Sequence, residues 1–391
     1  MNKVGAWGTL KQKASQGQLG SAPVFIGLII LVVIFSALKP VFYGGYNLVS
    51  LTQQIAPLGM ISLGITLVLL LGEIDLSAAS VSGLAAACVA VTSVSLHWPM
   101  TLAVIFSALV GSAVGLFQGT IIAKLGLPSF VVTLAGFLAW QGLQLYVLGS
   151  QGTINLTADG WLIHLGYSWF LKPWESFLLI IVTVVVMIVT RLSRDRRRRA
   201  ADLSGLPPFT IYGTPLILGV CLAVAVLFLD RDRGVSVMFL LLLVSMAVVN
   251  WVLLRTRPGR ALFAVGGNDE AARRAGIDVT KVRIMVFITG STFAAIGGML
   301  FAARIGSASQ ASGSGDILIN AIAAAVIGGV SLFGGRGSVW GTLLGLFVIG
   351  VIANGLNLLN YNASIKYIIT GGVLLLAVVL DGVARRGQKA K

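Results

Sequence analysis

Arg255-Thr-Arg-Pro-Gly-Arg-Ala-Leu-Phe-Ala-Val-Gly-Gly-Asn-Asp-Glu-Ala-Ala-Arg-Arg-Ala-Gly-Ile-Asp-Val-Thr-Lys-Val-Arg283 is a mixed-charge island between two apolar runs, residues 235–254 and 284–303. Each run is long enough to cross about 30 Å of hydrocarbon at about 1.5 Å per helical residue. A protein that only conducts or pumps has little use for an ordered charged patch between two spans, so the island reads as a docking surface. The flanking runs set the fold class: all-α, a polytopic membrane helix bundle.

The rest of the chain has the same character. Hydrophobic residues make up 57% of it, charged residues 10%, and mean hydropathy is +0.95, more apolar surface than water-soluble packing can hide. Twelve windows qualify as spans, near 23–38, 55–71, 76–96, 100–122, 129–148, 175–190, 211–229, 235–254, 284–303, 317–333, 339–358 and 366–381. The pairs joined at Gly72-Glu73-Ile74-Asp75 and at Gly334-Gly335-Arg336-Gly337 have such tight loops that either reads equally as a re-entrant or broken element, so the count is ten to twelve.

Charge gives the orientation. With the N-terminus inside, 22 Lys and Arg fall on inside segments and 6 on outside ones, so N-in and C-in is expected. Residues 1–22 are then a cytoplasmic segment, 23–381 the membrane domain, and 382–391 a cytoplasmic tail. The island, 255–283, and a basic turn, 191–208, lie on the same side. The net charge of +15 follows from these inside loops and does not point to nucleic acid. The polar stretch Met1 to Ser21 has no cleavage site after the first apolar run, so that run is expected to stay as an anchor. Outside, Gly149 to Pro173 carries Trp161, Tyr167 and Trp169, with Trp174 just beyond, and is expected to lie along the interface as an aromatic belt.

Enzyme readings fail early. There is no Gly-x-x-x-x-Gly-Lys-Ser/Thr phosphate loop, His97 and His164 are isolated, and Cys88 and Cys221 sit in apolar runs without ligand or disulfide spacing. No catalytic residue, metal site or bound cofactor is expected. Small residues four apart, at Gly111, Gly115 and Gly119 and at Gly341 and Gly345, predict close helix contacts.

Inside the island, Gly266-Gly267-Asn268 is expected to end one structured piece. Asn268 or Asp269 then caps a short helix, Glu270 to Ala275, with acids in its first turn, Arg273 and Arg274 further along, and Gly276 placed to stop it. Ala271, Ala272 and Ala275 form a small-residue side suited to a partner's groove.

The pattern Gly259-Arg-x-x-x-Ala264-x-Gly266-Gly-Asn268-x-x-Ala271-Ala-x-x-x-Gly276-Ile-x-Val279 resembles the cytoplasmic coupling loop of permease subunits from bacterial ATP-driven sugar importers of the ribose, xylose and arabinose type. Gly72-Glu-Ile-Asp-Leu-Ser77 with Ser80, Leu127-Pro-Ser-Phe-Val-Val-Thr-Leu134, Ile327-Gly-Gly-x-Ser-Leu-x-Gly-Gly335 and Asn354-Gly-Leu-Asn357 resemble further segments of that family, in its order. Ala78-Ala79 departs from it, standing where the family usually has a Gly that permits close backbone approach. The extra hairpin, roughly Arg191 to Arg233, is similar to that of the longer xylose-type permeases.

The resemblance implies a homodimer in the bacterial inner membrane. It implies two ATP-binding-cassette ATPase subunits, which hold ATP and Mg, and a periplasmic sugar-binding protein that delivers a monosaccharide, xylose or a related aldose. It also implies that Gly266, Gly267, Asn268, Glu270, Ala271, Ala272 and Gly276 contact the ATPase. A branched-chain amino acid permease and a stand-alone ion-coupled transporter are the rival readings.

Candidate polar residues of the route are few. Glu73 and Asp75 are the only acids in the first 150 residues, and a carboxylate at the bilayer centre costs about 2.5–3.5 kcal/mol. They read as a polar lining at a helix break, or as a helix cap (Asp75) beside a water-facing acid (Glu73). Gln141 and Gln144, and likewise Asn354, Asn357 and Asn360, share helix faces. Their amides suit sugar hydroxyls, and equally suit the gluing of one span to another.

Overall fold

The computed structural model describes residues 22–373 and 375. The segment 1–21, the end of the 366–381 window and the tail 382–391 lie outside the described residues. Among the described residues nine helical stretches are long and apolar enough to cross a membrane. The helices are α1 Ala22–Leu38, α2 Gly45–Leu71, α3 Ala78–Ala90 (prolonged by a π turn to Ser95), α4 Met100–Leu125 and α5 Ser129–Leu148. After a short strand, β1 Thr153–Asn155, come α6 Trp161–Tyr167, α7 Pro173–Arg199, α8 Thr214–Leu229 and α9 Val237–Arg255. The island folds as α10 Arg257–Gly267 and α11 Asp269–Arg274. Then follow α12 Val279–Ile305, β2 Ser307–Ser309, α13 Ile317–Ile327 and α14 Val339–Leu358, with a last helix from residue 363.

Three of the twelve windows are not among these nine stretches: 23–38, which forms the 17-residue α1, 317–333, and 366–381, whose end lies outside the described residues. Window 317–333 is not a full span: α13 has 11 residues, or about 16 Å at 1.5 Å each, and a loop over 328–338 completes the passage. Ala-rich α13 is cut short by Gly328-Gly329, with Gly329 in the left-handed region at φ +86°. The loop at 72–77, in contrast, joins two full helices.

Small residues decide which helices form the core. A Cβ on Gly115 would stand 2.3 Å from the Phe287 carbonyl oxygen and one on Gly111 2.4 Å from Ala295 Cβ, so α4 lies directly on α12. Gly345 meets the Ala324 carbonyl at 1.9 Å in the same sense, locking α14 onto α13. Both stripes pack as the four-residue spacing predicts. Helix α2 is the central post, with 89% of its apolar window buried, whereas only 6% of that of α7 is, so α7 lies at the periphery of the bundle.

The connections sort into two groups that meet only within themselves. Residues expected outside touch one another: Ile154 pairs with Ala308 in the β1–β2 ribbon, Phe170 bridges Ser236, and Trp161 Nε1 donates to Thr101 Oγ1 at 3.2 Å. Residues expected inside likewise converge, as described below. This segregation is the alternation that the Lys and Arg distribution demands. The outside loop is not only an aromatic belt, because β1 and α6 fold back over α12, where Gly166 abuts the Ala303 carbonyl.

Candidate functional site

Four segments expected inside meet at one face of the bundle. The Gly335 amide donates to the Leu70 carbonyl at 2.9 Å, satisfying one of the carbonyls that the end of α2 leaves open. A Cβ on Gly266, near the end of α10, would stand 2.0 Å from that same Leu70 oxygen, and one on Gly334 would stand 2.5 Å from the Gly266 oxygen. Three strands of bare backbone, 70–72, 266–267 and 333–335, are therefore packed without side chains between them. Ser129 and Thr133, one turn apart on α5, supply the fourth segment. Their hydroxyl oxygens accept the Ile74 amide at 3.2 Å and the Leu76 amide at 3.1 Å. Two of the recognisable sequence elements thus bind each other, which their separate reading did not disclose. The signal was the pair of hydroxyls at i and i+4 following Pro128.

The mixed-charge island sits on this junction. Asn268 Oδ1 accepts the Ala271 amide at 2.8 Å and so is the N-cap of α11, while Gly276, at φ +81°, ends it as the Ile277 amide returns to the Ala272 carbonyl. Helix α10, which the polar composition concealed, is amphipathic: Leu262 and Val265 are buried while Arg257 and Arg260 are exposed. The seven expected contact residues divide. Gly267, Asn268, Glu270, Ala271 and Gly276 are exposed, whereas Gly266 is half-buried against Leu70. Ala272 is buried at 3% exposure, so the small-residue side turned outward is Ala271 and Ala275 alone.

Arg283, in the first turns of α12, ties these parts together. Its Nε lies 3.1 Å from Glu73 Oε1, an ionic contact not aligned as a hydrogen bond, and its terminal nitrogen meets Asp269 Oδ2. One cation thereby joins the α2–α3 loop to α11. Asp75 behaves differently. It is buried, and its Oδ1 accepts the Ser77 amide at 2.8 Å and the Ser77 hydroxyl at 2.6 Å, an Asx turn that starts α3. Gln118 Oε1 lies 3.0 Å from the same hydroxyl. The acids are thus a cap and an ion pair.

Two of the five amides tie distant elements together. Asn47 and Asn354 exchange two hydrogen bonds, at 2.9 and 3.0 Å, fastening α2 to α14. Gln144 Nε2 donates to the Ser309 and Ser312 carbonyls at 3.0 and 2.8 Å, and Gln141 lies half-buried a turn earlier on α5. Asn357 is exposed and accepts from Lys366, while Asn360 lies beyond the end of α14 at φ +56° and leaves the helix face expected of it.

Beside Gln144 lies a cavity of about 190 Å³, on the side of the β1–β2 ribbon, its mainly apolar wall of Phe301 and Ile317 among others broken by Ser82, Ser307, Ser309 and Ser312. None of its lining side chains is ionisable. Gly313, which lines the cavity, makes a close approach to Ala79, where the sequence departs from the expected Gly. The glycine is on the opposite strand: Gly313 faces the Ala79 carbonyl, 2.2 Å from where its own Cβ would be. Among the described residues no cluster of His, Cys, Asp or Glu could hold a metal ion.

Comparison with known proteins agrees with this architecture. Residues 47–378 match the family described as "Branched-chain amino acid transport system / permease component". The chain is 32% identical over 365 residues to the xylose transport system permease protein XylH of Escherichia coli strain K12, covering 93% of this chain and 92% of that one. It is 32% identical over 358 residues to the ribose import permease protein RbsC of Bacillus subtilis strain 168, covering 91% of each. No solved structure matches it. With its multi-pass helical bundle and a match along most of its length, the chain belongs to this family of membrane transport permeases.

Proposed function

We propose that this chain is the membrane-spanning subunit of an ATP-driven monosaccharide importer, a homodimer that takes xylose or a related aldose from a periplasmic binding protein. Its ATP and Mg belong to a separate ATPase subunit. The observation that carries this reading is the two-sidedness of α11. Outward it offers Glu270, Ala271, Arg274 and Ala275; inward it rests, through Ala272, Gly266 and Arg283, on the ends of α2, α12 and the 328–338 loop. Backbone packed on backbone has no soft side chain to absorb a push, so closure of an ATPase pair against α11 would be passed on as rigid-body rocking of the spans. The similarity to the xylose and ribose permeases supports a sugar as cargo.

Leucine-type import is the second reading, favoured by the family description. An amino acid brings an ammonium and a carboxylate, and the cavity beside Gln144 has no ionisable lining to receive either, whereas its serines suit hydroxyls. Isotope uptake into cells producing this chain with its ATPase and binding protein decides between them. Accumulation of labelled xylose or ribose without leucine is expected. Leucine accumulation alone, or uphill sugar transport by the reconstituted chain without an ATPase, would refute the proposal.

A further inference from the structure

We infer that the seam between α7 and α9 is a binding site for an anionic phospholipid on the cytoplasmic side. The two helices leave an open cleft of about 680 Å³, lined by Val189, Thr190, Arg194 and Arg197 of α7 and by Trp251 and Arg255 of α9, with Ser193 and Leu254 beside them. Its chemistry is graded along the membrane normal. Arg194 and Arg197, three apart and so on one face of α7, stand level with Arg255 at the end of α9. One turn deeper, about 6 Å, Val189 and Trp251 present exposed apolar surface at 53% and 60% accessibility. A phosphate against three guanidinium groups with acyl chains along Val189, Trp251 and Leu254 matches that order, and Trp251 stands at the level of an interfacial aromatic.

Among the described residues no carboxylate neutralises this charge. Asp195, the acid on this turn of α7, is buried and engaged, accepting from the Leu206 amide at 2.6 Å and pairing with Arg199 at 2.8 Å. Among the described residues Arg194, Arg197 and Arg255 have no carboxylate within ion-pair distance. The α7–α8 hairpin packs mainly on itself, and α8 rather than α7 reaches α2. A lipid in the seam would fill the space where α7 and α9 fail to meet, bracing the hairpin against the bundle. The apolar walls, Val189, Trp251 and Leu254, are exposed on two helices long and apolar enough to cross a membrane, which favours a lipid over a protein partner. This inference does not depend on the nature of the transported substrate.

The test is native mass spectrometry of the full-length protein in a neutral detergent, titrated with phosphatidylglycerol, phosphatidylcholine or inorganic phosphate. One phosphatidylglycerol is expected to be retained in preference to phosphatidylcholine, and excess inorganic phosphate should not displace it. Arg194→Gln with Arg197→Gln should weaken retention about tenfold or more, and Arg255→Gln, on the other helix, should weaken it severalfold. The charge-matched pair Arg196→Gln with Arg198→Gln, outside the cleft, should change it by less than twofold. Equal losses in the two double variants would mean general attraction to a basic turn and would overturn the site. So would unchanged retention after Arg255→Gln, or displacement by inorganic phosphate, which would make the ligand a free anion. Size-exclusion profiles establish that each variant is folded before it is titrated.

Discussion

Arg283 Nε lies 3.1 Å from Glu73 Oε1, joining the start of α12 to the loop between α2 and α3, while the same guanidinium holds Asp269 of the coupling helix. The pair is mostly enclosed, with side-chain exposures of 22% and 16%, so it is less screened than a surface ion pair. Arg283→Gln leaves two acids without their cation, a loss of about 1–3 kcal/mol at the junction. Sugar uptake per inserted protein should fall at least tenfold, and ATP hydrolysis by the co-purified ATPase should fall less. Glu73→Gln, which leaves Asp269 paired, should have the milder effect. Normal uptake by Arg283→Gln would remove this contact from the coupling route.

Gly266 and Gly276 should fail in different ways. A Cβ at Gly266 collides with the Leu70 carbonyl at 2.0 Å, and no rotamer change relieves a backbone clash. Gly266→Ala should therefore lower the amount of folded protein, at about 1–3 kcal/mol or more. A Cβ at Gly276 meets nothing within 4 Å, so Gly276→Ala bears only the cost of φ +81°, about 1–2 kcal/mol, and should insert normally. Gly276→Trp should insert and yet abolish uptake, by obstructing the ATPase. Membrane protein level and isotope uptake, measured together, separate the two.

Asn47 and Asn354 should behave as glue. Asn47→Leu leaves the Asn354 amide without this partner, and Asn354→Leu leaves Asn47 only its bond to the Phe42 carbonyl at 2.9 Å, each a cost of about 1–3 kcal/mol, whereas the double change removes both partners of the pair and should be less than additive. Thermal denaturation in detergent gives the cycle. Additive losses, or altered sugar selectivity without any loss of stability, would place Asn354 in the transport route instead.

Filling the outer cavity should stop transport without unfolding the protein. Ala311 lines it and is exposed, so Ala311→Trp can enter the space without displacing the core. Uptake should fall more than tenfold at unchanged protein level, and Ala311→Ser should be near neutral. Full activity of Ala311→Trp would show that substrate passes elsewhere.

Sidedness can be read with a membrane-impermeant thiol reagent after Cys88→Ala and Cys221→Ala. Ala275→Cys, on the exposed side past α11, should react only when the cytoplasmic face is open, and Ala158→Cys, between β1 and α6, from the opposite face. Labelling of Ala275→Cys from outside would invert the topology and detach α11 from any cytoplasmic ATPase.

What the sequence determined by itself is the part governed by local or one-dimensional physics. Long apolar runs must be helices in lipid, and Asn268 and Gly276 bound α11 through short-range capping that needs no distant partner. The stripes at Gly111, Gly115, Gly341 and Gly345 likewise announced close packing, though not against which helix. The tertiary structure alone decided the partners. Asp75 and Asn354, polar in a greasy chain, read equally as lining or as structure until Ser77 and Asn47 were seen to satisfy them. Window 317–333 had span-like composition, and only the return of Gly335 to the Leu70 carbonyl shows it to be a half-helix with a loop. Composition cannot report such facts, because a buried polar group is defined by what closes its hydrogen bonds, and here those partners come from segments far apart in the chain.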